Sequence, residues 1–233
     1  MAHLLSANVA LITHRLTKDD STPFVSAFPV GHKAGTRYDI SYVFPLFSVN
    51  STDNISKTLH EFLDTRYNRH YRPEEILGFI YAVLHAPLYR ARYAELLRRD
   101  FPRVPFPDTA DHFESLSGLG WPLVQAHLLR ELPRPGLAAF RGKGDRTVDA
   151  VRYSPQEQAI WINKSQSFSP VSQAVWDFCI GGYQVLDKYL KSRKGRTLSL
   201  DEINHIGAVA DSLAFTIDQM ARIDVVYREA FPD

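Results

Sequence analysis

Ser199-Leu-Asp-Glu-Ile-Asn-His-Ile-Gly-Ala-Val-Ala-Asp-Ser-Leu-Ala-Phe-Thr-Ile-Asp-Gln-Met220 opens with a capping box. Its serine and glutamate can each satisfy an orphan backbone amide at a helix start. Ile203, Ile206, Ala210, Leu213, Ile217 and Met220 then recur at steps of three and four, which aligns them along one narrow seam. One long C-terminal helix is therefore expected. Its seam either packs on helices of the same domain or offers a docking face to a partner or to another domain of a longer chain.

Just upstream lies Trp176-Asp-Phe-Cys-Ile-Gly-Gly-Tyr-Gln-Val-Leu-Asp-Lys-Tyr-Leu-Lys-Ser-Arg-Lys-Gly-Arg196. It reads as an aromatic, strand-like segment, a glycine pair and a short helix. Lys188, Lys191, Arg193, Lys194 and Arg196 crowd the helix end with no acid among them. Such a density suits a phosphate backbone, which would screen it. A solvated helix end, where cations also suit the dipole, is the plainer explanation of the charge by itself.

The first fifty residues read as strands between turns: Val9–Thr13, Phe24–Phe28 and Asp39–Phe44. Gly31-His-Lys-Ala-Gly-Thr-Arg37 joins the last two as a polar loop able to project His32, Lys33 and Arg37. Helices follow. Ile55, Leu59, Phe62 and Leu63 share a face, and Pro73-Glu-Glu75 starts a helix that should stop before Pro87. A further helix is expected over about 88–99, and a last one capped by Asp108. Leu132-Pro-Arg-Pro-Gly136 is the expected boundary between halves 1–131 and 132–233. Beyond it, β patterns return in Leu137–Phe140, Thr147–Tyr153 and Gln158–Asn163, with Arg141-Gly-Lys-Gly-Asp-Arg146 and Lys164-Ser-Gln-Ser167 as polar loops. The fold class expected is α+β: two small sheet-containing halves flanking a helical middle, closed by the long helix.

The chain has 233 residues, 45% hydrophobic, with 27 Lys plus Arg against 26 Asp plus Glu, so nucleic-acid binding would have to come from local clustering. The single cysteine, Cys179, fits a reducing cytoplasm and is expected to be a buried, inert thiol. The sequence has no apolar run of membrane-spanning length and no signal-peptide start, so a cytoplasmic protein is expected. Catalytic patterns are missing: no His-Glu-x-x-His, no CxxC pair, no Gly-x-Ser-x-Gly elbow and no P-loop spacing around Gly136, Gly142 and Lys143. Pro107-Asp108 lacks the downstream acid-x-Lys partner of a nuclease. No catalytic or metal-binding residues are assigned, and an unrecognised hydrolase is the weakest reading.

Read in order, several motifs together resemble the C-terminal specificity, or target-recognition, domain of Type ISP (single-polypeptide Type I) restriction–modification enzymes. They are Asn8-Val-Ala-Leu-Ile-Thr-His-Arg15, Tyr42-Val-Phe-Pro-Leu46, Ile80-Tyr-Ala-Val-Leu-His85 and Tyr89-Arg-Ala-Arg-Tyr93. Asp100-Phe-Pro-Arg-Val-Pro105, Val175-Trp-Asp-Phe-Cys-Ile-Gly-Gly-Tyr-Gln-Val185 and Leu190-Lys-Ser-Arg-Lys-Gly-Arg-Thr-Leu-Ser199 complete the set. Cys179 stands where arginine, and Tyr189 where tryptophan, would be usual. The resemblance implies a non-enzymatic reader of double-stranded DNA beside the methyltransferase domain of a parent chain. S-adenosylmethionine, ATP and magnesium would belong to other domains, since the Asn-Pro-Pro-Tyr, nuclease and ATPase motifs are absent here. In that setting Lys33, Arg37, Lys164 and Gln166 are the expected base readers. Arg141, Lys143, Arg146, Lys188, Lys191, Arg193, Lys194 and Arg196 are the expected phosphate contacts. Tyr183 and Gln184 are candidates for stacking or polar contact.

Overall fold

The structure, a computed structural model, describes residues 8–16, 22–34, 40–132 and 136–232. The fold is α+β, as expected, and contains two compact units: residues 1–128 with 219–233, and residues 129–218.

In the first unit β1 (Ala10–His14) lies between β2 (Phe24–Ser26) and β3 (Ser41–Pro45), antiparallel to both. Alternation sends Ala10 and Ile12 inward against Phe24, Val30 and Val43. α1 (Lys57–Tyr67) starts at Ser56, whose Oγ accepts from the Leu59 amide at 3.2 Å. α2 (Pro73–His85) begins at the expected proline, and Glu75 reaches back to accept from the Arg72 amide at 2.9 Å. The helix expected over 88–99 is two short ones, α3 (Pro87–Arg92) and α4 (Ala94–Leu97). Tyr93 leaves helical geometry at φ −109°, its ring packed 5.2 Å from that of Tyr89. α5 (Ala110–His127) is capped by Thr109, whose Oγ1 accepts from the His112 amide at 3.3 Å. Asp108, the expected cap, instead pairs with Arg66 at 2.7 Å. α2 and α5 cross closely at two glycines: a Cβ on Gly120 would stand 1.8 Å from the Gly78 carbonyl oxygen.

In the second unit β4 (Ala139–Arg141), β5 (Arg152–Ser154), β6 (Ala159–Trp161) and β7 (Ser167–Ser169) form an antiparallel sheet in the order β4-β7-β6-β5. Phe168 faces Phe140 on one side and Ile160 on the other. α6 (Gln173–Trp176) is a helical turn capped by Ser172, with Val175 buried beneath it, and the strand expected after Trp176 follows at Cys179–Ile180. A two-stranded hairpin, β8 (Cys179–Ile180) and β9 (Tyr183–Gln184), precedes α7 (Val185–Lys191). Cys179 is exposed rather than buried, because Phe178 beside it takes the inward position against the core.

α8 (Leu200–Ala230) is one helix of 31 residues. Its capping box forms as expected: the Ser199 amide donates to Glu202 Oε2 at 3.0 Å and the Glu202 amide to Ser199 Oγ at 3.1 Å. Ile203, Ile206, Ala210 and Leu213 are buried in the core of the second unit, and Ile217 packs against that core. Residues 203–217 of the seam are thus occupied within the chain, which removes the docking-face alternative for them. From Gln219 the helix belongs to the first unit, where Gln219 Nε2 donates to Leu119 O at 2.7 Å and the Leu88 amide donates to Asp224 Oδ1 at 2.6 Å. Among the described residues, no helix is long and apolar enough to cross a membrane.

Candidate nucleic-acid interface

Three segments that carry the expected cations meet at one end of the four-stranded sheet in the second unit. β4 delivers Arg141 opposite Ser167 of β7, so the 141–146 loop leaves the sheet where the β6–β7 turn enters it. The turn is organised by Asn163. Its Oδ1 accepts from the Ser165 and Gln166 amides at 3.0 and 2.8 Å, the usual way an asparagine side chain builds a turn. Its Nδ2 donates to Thr147 O at 2.9 Å and to Gln166 Oε1 at 3.0 Å.

Side chains of the turn bond the backbone of the loop. Ser165 Oγ donates to Lys143 O at 3.0 Å, and the Arg146 amide donates to Gln166 Oε1 at 2.8 Å. A Cβ on Gly142 would lie 1.9 Å from Ser165 O, and one on Gly144 would lie 2.8 Å from Gln166 Oε1. Only glycine allows this approach. Arg146 adopts a left-handed φ of 67°, uncommon for a residue with a Cβ, and is held there from both sides of its peptide unit. The third segment follows α7. The Leu198 amide donates to Arg146 O at 3.0 Å, the Val148 amide to Arg196 O at 3.0 Å, and the Gly195 amide to Val148 O at 2.8 Å. Thr147 and Thr197 form an antiparallel bridge with hydroxyls 3.1 Å apart.

This framework sorts the expected contacts. Arg141, Lys143, Lys164 and Lys194 are exposed and form no ion pair among the described residues. Arg146 is half-buried. Arg196 is exposed and reaches Glu202 at 3.2 Å; Lys191 is exposed and reaches Asp187 at 2.8 Å. Lys188 lies over the Tyr183 ring, 3.0 Å from its centroid. Arg193 is turned inward: its side chain is 20% exposed, bonded to Glu202 at 3.0 Å and to Tyr189 O at 3.0 Å, and stacked on the Tyr189 ring. The Ser199 amide and the two arginines hold the Glu202 carboxyl below the usual carboxylate range. Asp145, the one acid of the 141–146 loop, is likewise held low, chiefly by the Thr147 amide it accepts from.

Gln166, expected as a base reader, is buried at 2% exposure with its Oε1 already accepting two hydrogen bonds. Gln184 also points inward and donates to Trp176 O. Tyr183 is half-buried under Lys188. Lys33 is exposed in the turn after Gly31, in the first unit, and Arg37 lies outside the described residues. Sequence reasoning missed Asn163, whose place at the head of a polar turn between two strands was the available signal. It also missed Glu202 as the partner of two cations of the basic run. Among the described residues no group of His, Cys, Asp and Glu is arranged to hold a metal ion.

The chain belongs to a family of specificity domains. The family is the Type ISP C-terminal specificity domain, which matches residues 1–220. No curated protein matches the chain. Its fold is similar to part of a nuclease-deletion mutant of the Type ISP restriction-modification enzyme LlaGI in complex with a DNA substrate mimic (TM-score 0.66, 17% identity, 93% of this chain and 18% of that one). It is also similar to part of the DrdV–DNA complex (0.67, 17%, 94% and 24%) and of the ATP-dependent Type ISP enzyme LlaBIII bound to DNA (0.65, 15%, 94% and 16%). The chain thus spans between about a sixth and a quarter of the length of these proteins.

Proposed function

We propose that this chain recognises a short sequence in double-stranded DNA and holds the duplex for an adenine-N6 methyltransferase and a nuclease carried elsewhere in a parent restriction–modification enzyme. The observation that carries the reading is the junction of three cation-bearing segments, 141–146, 163–166 and 193–198, in one hydrogen-bonded framework. Family membership and the DNA in the complexes named above support it. Arg141, Lys143, Arg146, Lys188, Lys191, Lys194 and Arg196 are assigned to phosphates, which fix register without specifying sequence. Lys33, Arg37 and Lys164 are assigned to base edges. Arg193 is assigned a structural part. Residues 1–131 and 132–233 are read as two halves of one recognition domain working in the cytoplasm. S-adenosylmethionine, ATP and magnesium would serve the methyltransferase and the other domains of the parent.

Selection from a pool of randomised duplexes, with the chain and with the parent enzyme, tests this reading. Enrichment of one short sequence, bound with an affinity that falls steeply as salt rises, is expected. Equal binding to all duplexes, or none at low salt, would refute it.

A further inference from the structure

We propose that Asn163 and Gln166 act as a positioning pair, an amide latch that sets the 141–146 loop for DNA; this rests on the DNA reading above. Two neutral side chains sit at the centre of the cationic edge, and neither is free to address a base in the way expected of an exposed glutamine. Gln166 Oε1 accepts from the Arg146 amide and from Asn163 Nδ2, while Asn163 bonds Thr147 O and the Ser165 and Gln166 amides. One amide pair, Gln166 buried and Asn163 half-buried, therefore touches the loop bearing Arg141, Lys143 and Arg146 and the turn bearing Lys164, and reaches Thr147, which bridges to the 193–198 segment. A neutral scaffold suits this task. A buried carboxylate here would cancel the surface charge, and a buried cation would lack a partner. Arg146 shows what the latch opposes, because its left-handed backbone would relax if the bond to Gln166 were lost.

The two roles open to Gln166 have different signatures. A base reader sets the preference at one position of the site and leaves the count of phosphate contacts alone. A positioning residue does the reverse, because a loosened loop withdraws its cations from every duplex. Gly144→Ala perturbs the same contact from the other side, its new Cβ falling 2.8 Å from Gln166 Oε1.

The full chain and its Gln166→Ala and Gly144→Ala variants are compared by hydrogen exchange without DNA and by duplex binding across a salt series. Both variants are expected to stay folded, to speed exchange of the Arg146 and Leu198 amides, and to weaken binding to all duplexes by about tenfold. The slope of log affinity on log salt should shrink by about 1–2, as for the loss of one or two phosphate contacts, with the preferred sequence unchanged. A changed preference at a single position with an unchanged slope would make Gln166 a base reader and overturn the proposal. Binding and exchange equal to those of the unsubstituted chain would overturn it too. If the unsubstituted chain binds no duplex, the DNA reading itself fails; if it binds and only the variants behave as wild type, the latch alone fails.

Discussion

In the first unit His85 is buried and His127 half-buried beside it, their rings 5.5 Å apart, with the Tyr81 hydroxyl 2.6 Å from His127 Nδ1. In the second, Arg141, Lys143, Lys164 and Lys194 stand exposed on loops bound together by neutral amides. Desolvation pushes the histidines down to about 3 for His85 and about 4 for His127, and burial pushes the Tyr81 hydroxyl up. The first unit thus keeps His85, His127 and Tyr81 uncharged near neutrality, whereas the second displays permanent charge and spends uncharged groups on holding it in place. The two should therefore answer to different variables: the first to packing and acid, the second to salt.

The largest effect is expected at the crossing of α2 and α5. Gly120→Ala forces a methyl group against the Gly78 carbonyl oxygen, backbone that cannot swing aside, and should lower stability by about 3 kcal/mol or more in chemical denaturation. Gly144→Ala, at φ +156° and against Gln166 Oε1, strains one exposed loop instead of a helix crossing and should lower it less. Equal losses at the two sites would break the contrast.

Acid comes next. Both histidines bind a proton less readily folded than unfolded, where their pKa lies near 6.5. Stability is therefore full above pH 6.5, falls as pH drops toward the folded values of about 4 and about 3, and levels off below them. A loss on the order of 2–4 kcal/mol is expected between pH 6.5 and pH 5, shared about equally by the two, because both folded values lie below that window. Denaturation curves in that window avoid the titration of Glu202, Glu114 and Asp100, all held below the usual carboxylate range. A flat profile over it would contradict the neutral-interior account.

Smaller effects sharpen the comparison within the basic run itself. Arg193→Ala should lower the melting midpoint, because it breaks the pair with Glu202 and the stacking on Tyr189, and leave the salt dependence of DNA binding unchanged. Lys194→Ala should do the opposite: no change in the melting midpoint, and a binding slope reduced by about 1. Reversal of these two results would mean that exposure does not separate structural from DNA-facing cations.

What was legible in the sequence was local. The capping box at Ser199 and Glu202, the start of α2 at Pro73 and its end before Pro87 are each fixed by residues within one turn. Tertiary contacts hid the rest. Asp108 and Thr109 are both good caps on paper; in the structure Thr109 caps and Asp108 pairs with Arg66, 42 residues away. The helical turn Gln173–Trp176, held by Ser172 and the burial of Val175, is too short for periodicity to announce. The cationic loops were legible as loops, but their junction was not: Arg146 meets Gln166 across 20 residues, and Thr147 meets Thr197 across 50. Charge density alone also gave Arg193 and Lys194 the same standing, although one is folded inward on Tyr189 and the other is exposed.

Charge reversal at opposite edges of one sheet tests the central claim most directly. Lys143→Glu lies on the loop after β4 and Arg152→Glu on β5, three strands away along the row Arg141–Ser167–Trp161–Arg152, so both variants change the same net charge in the same unit. Duplex affinity at fixed salt should fall by at least about tenfold more for Lys143→Glu than for Arg152→Glu. Equal losses would mean that the duplex responds to overall charge, and that the edge built by Arg141–Arg146, Asn163–Gln166 and 193–198 is not the DNA face.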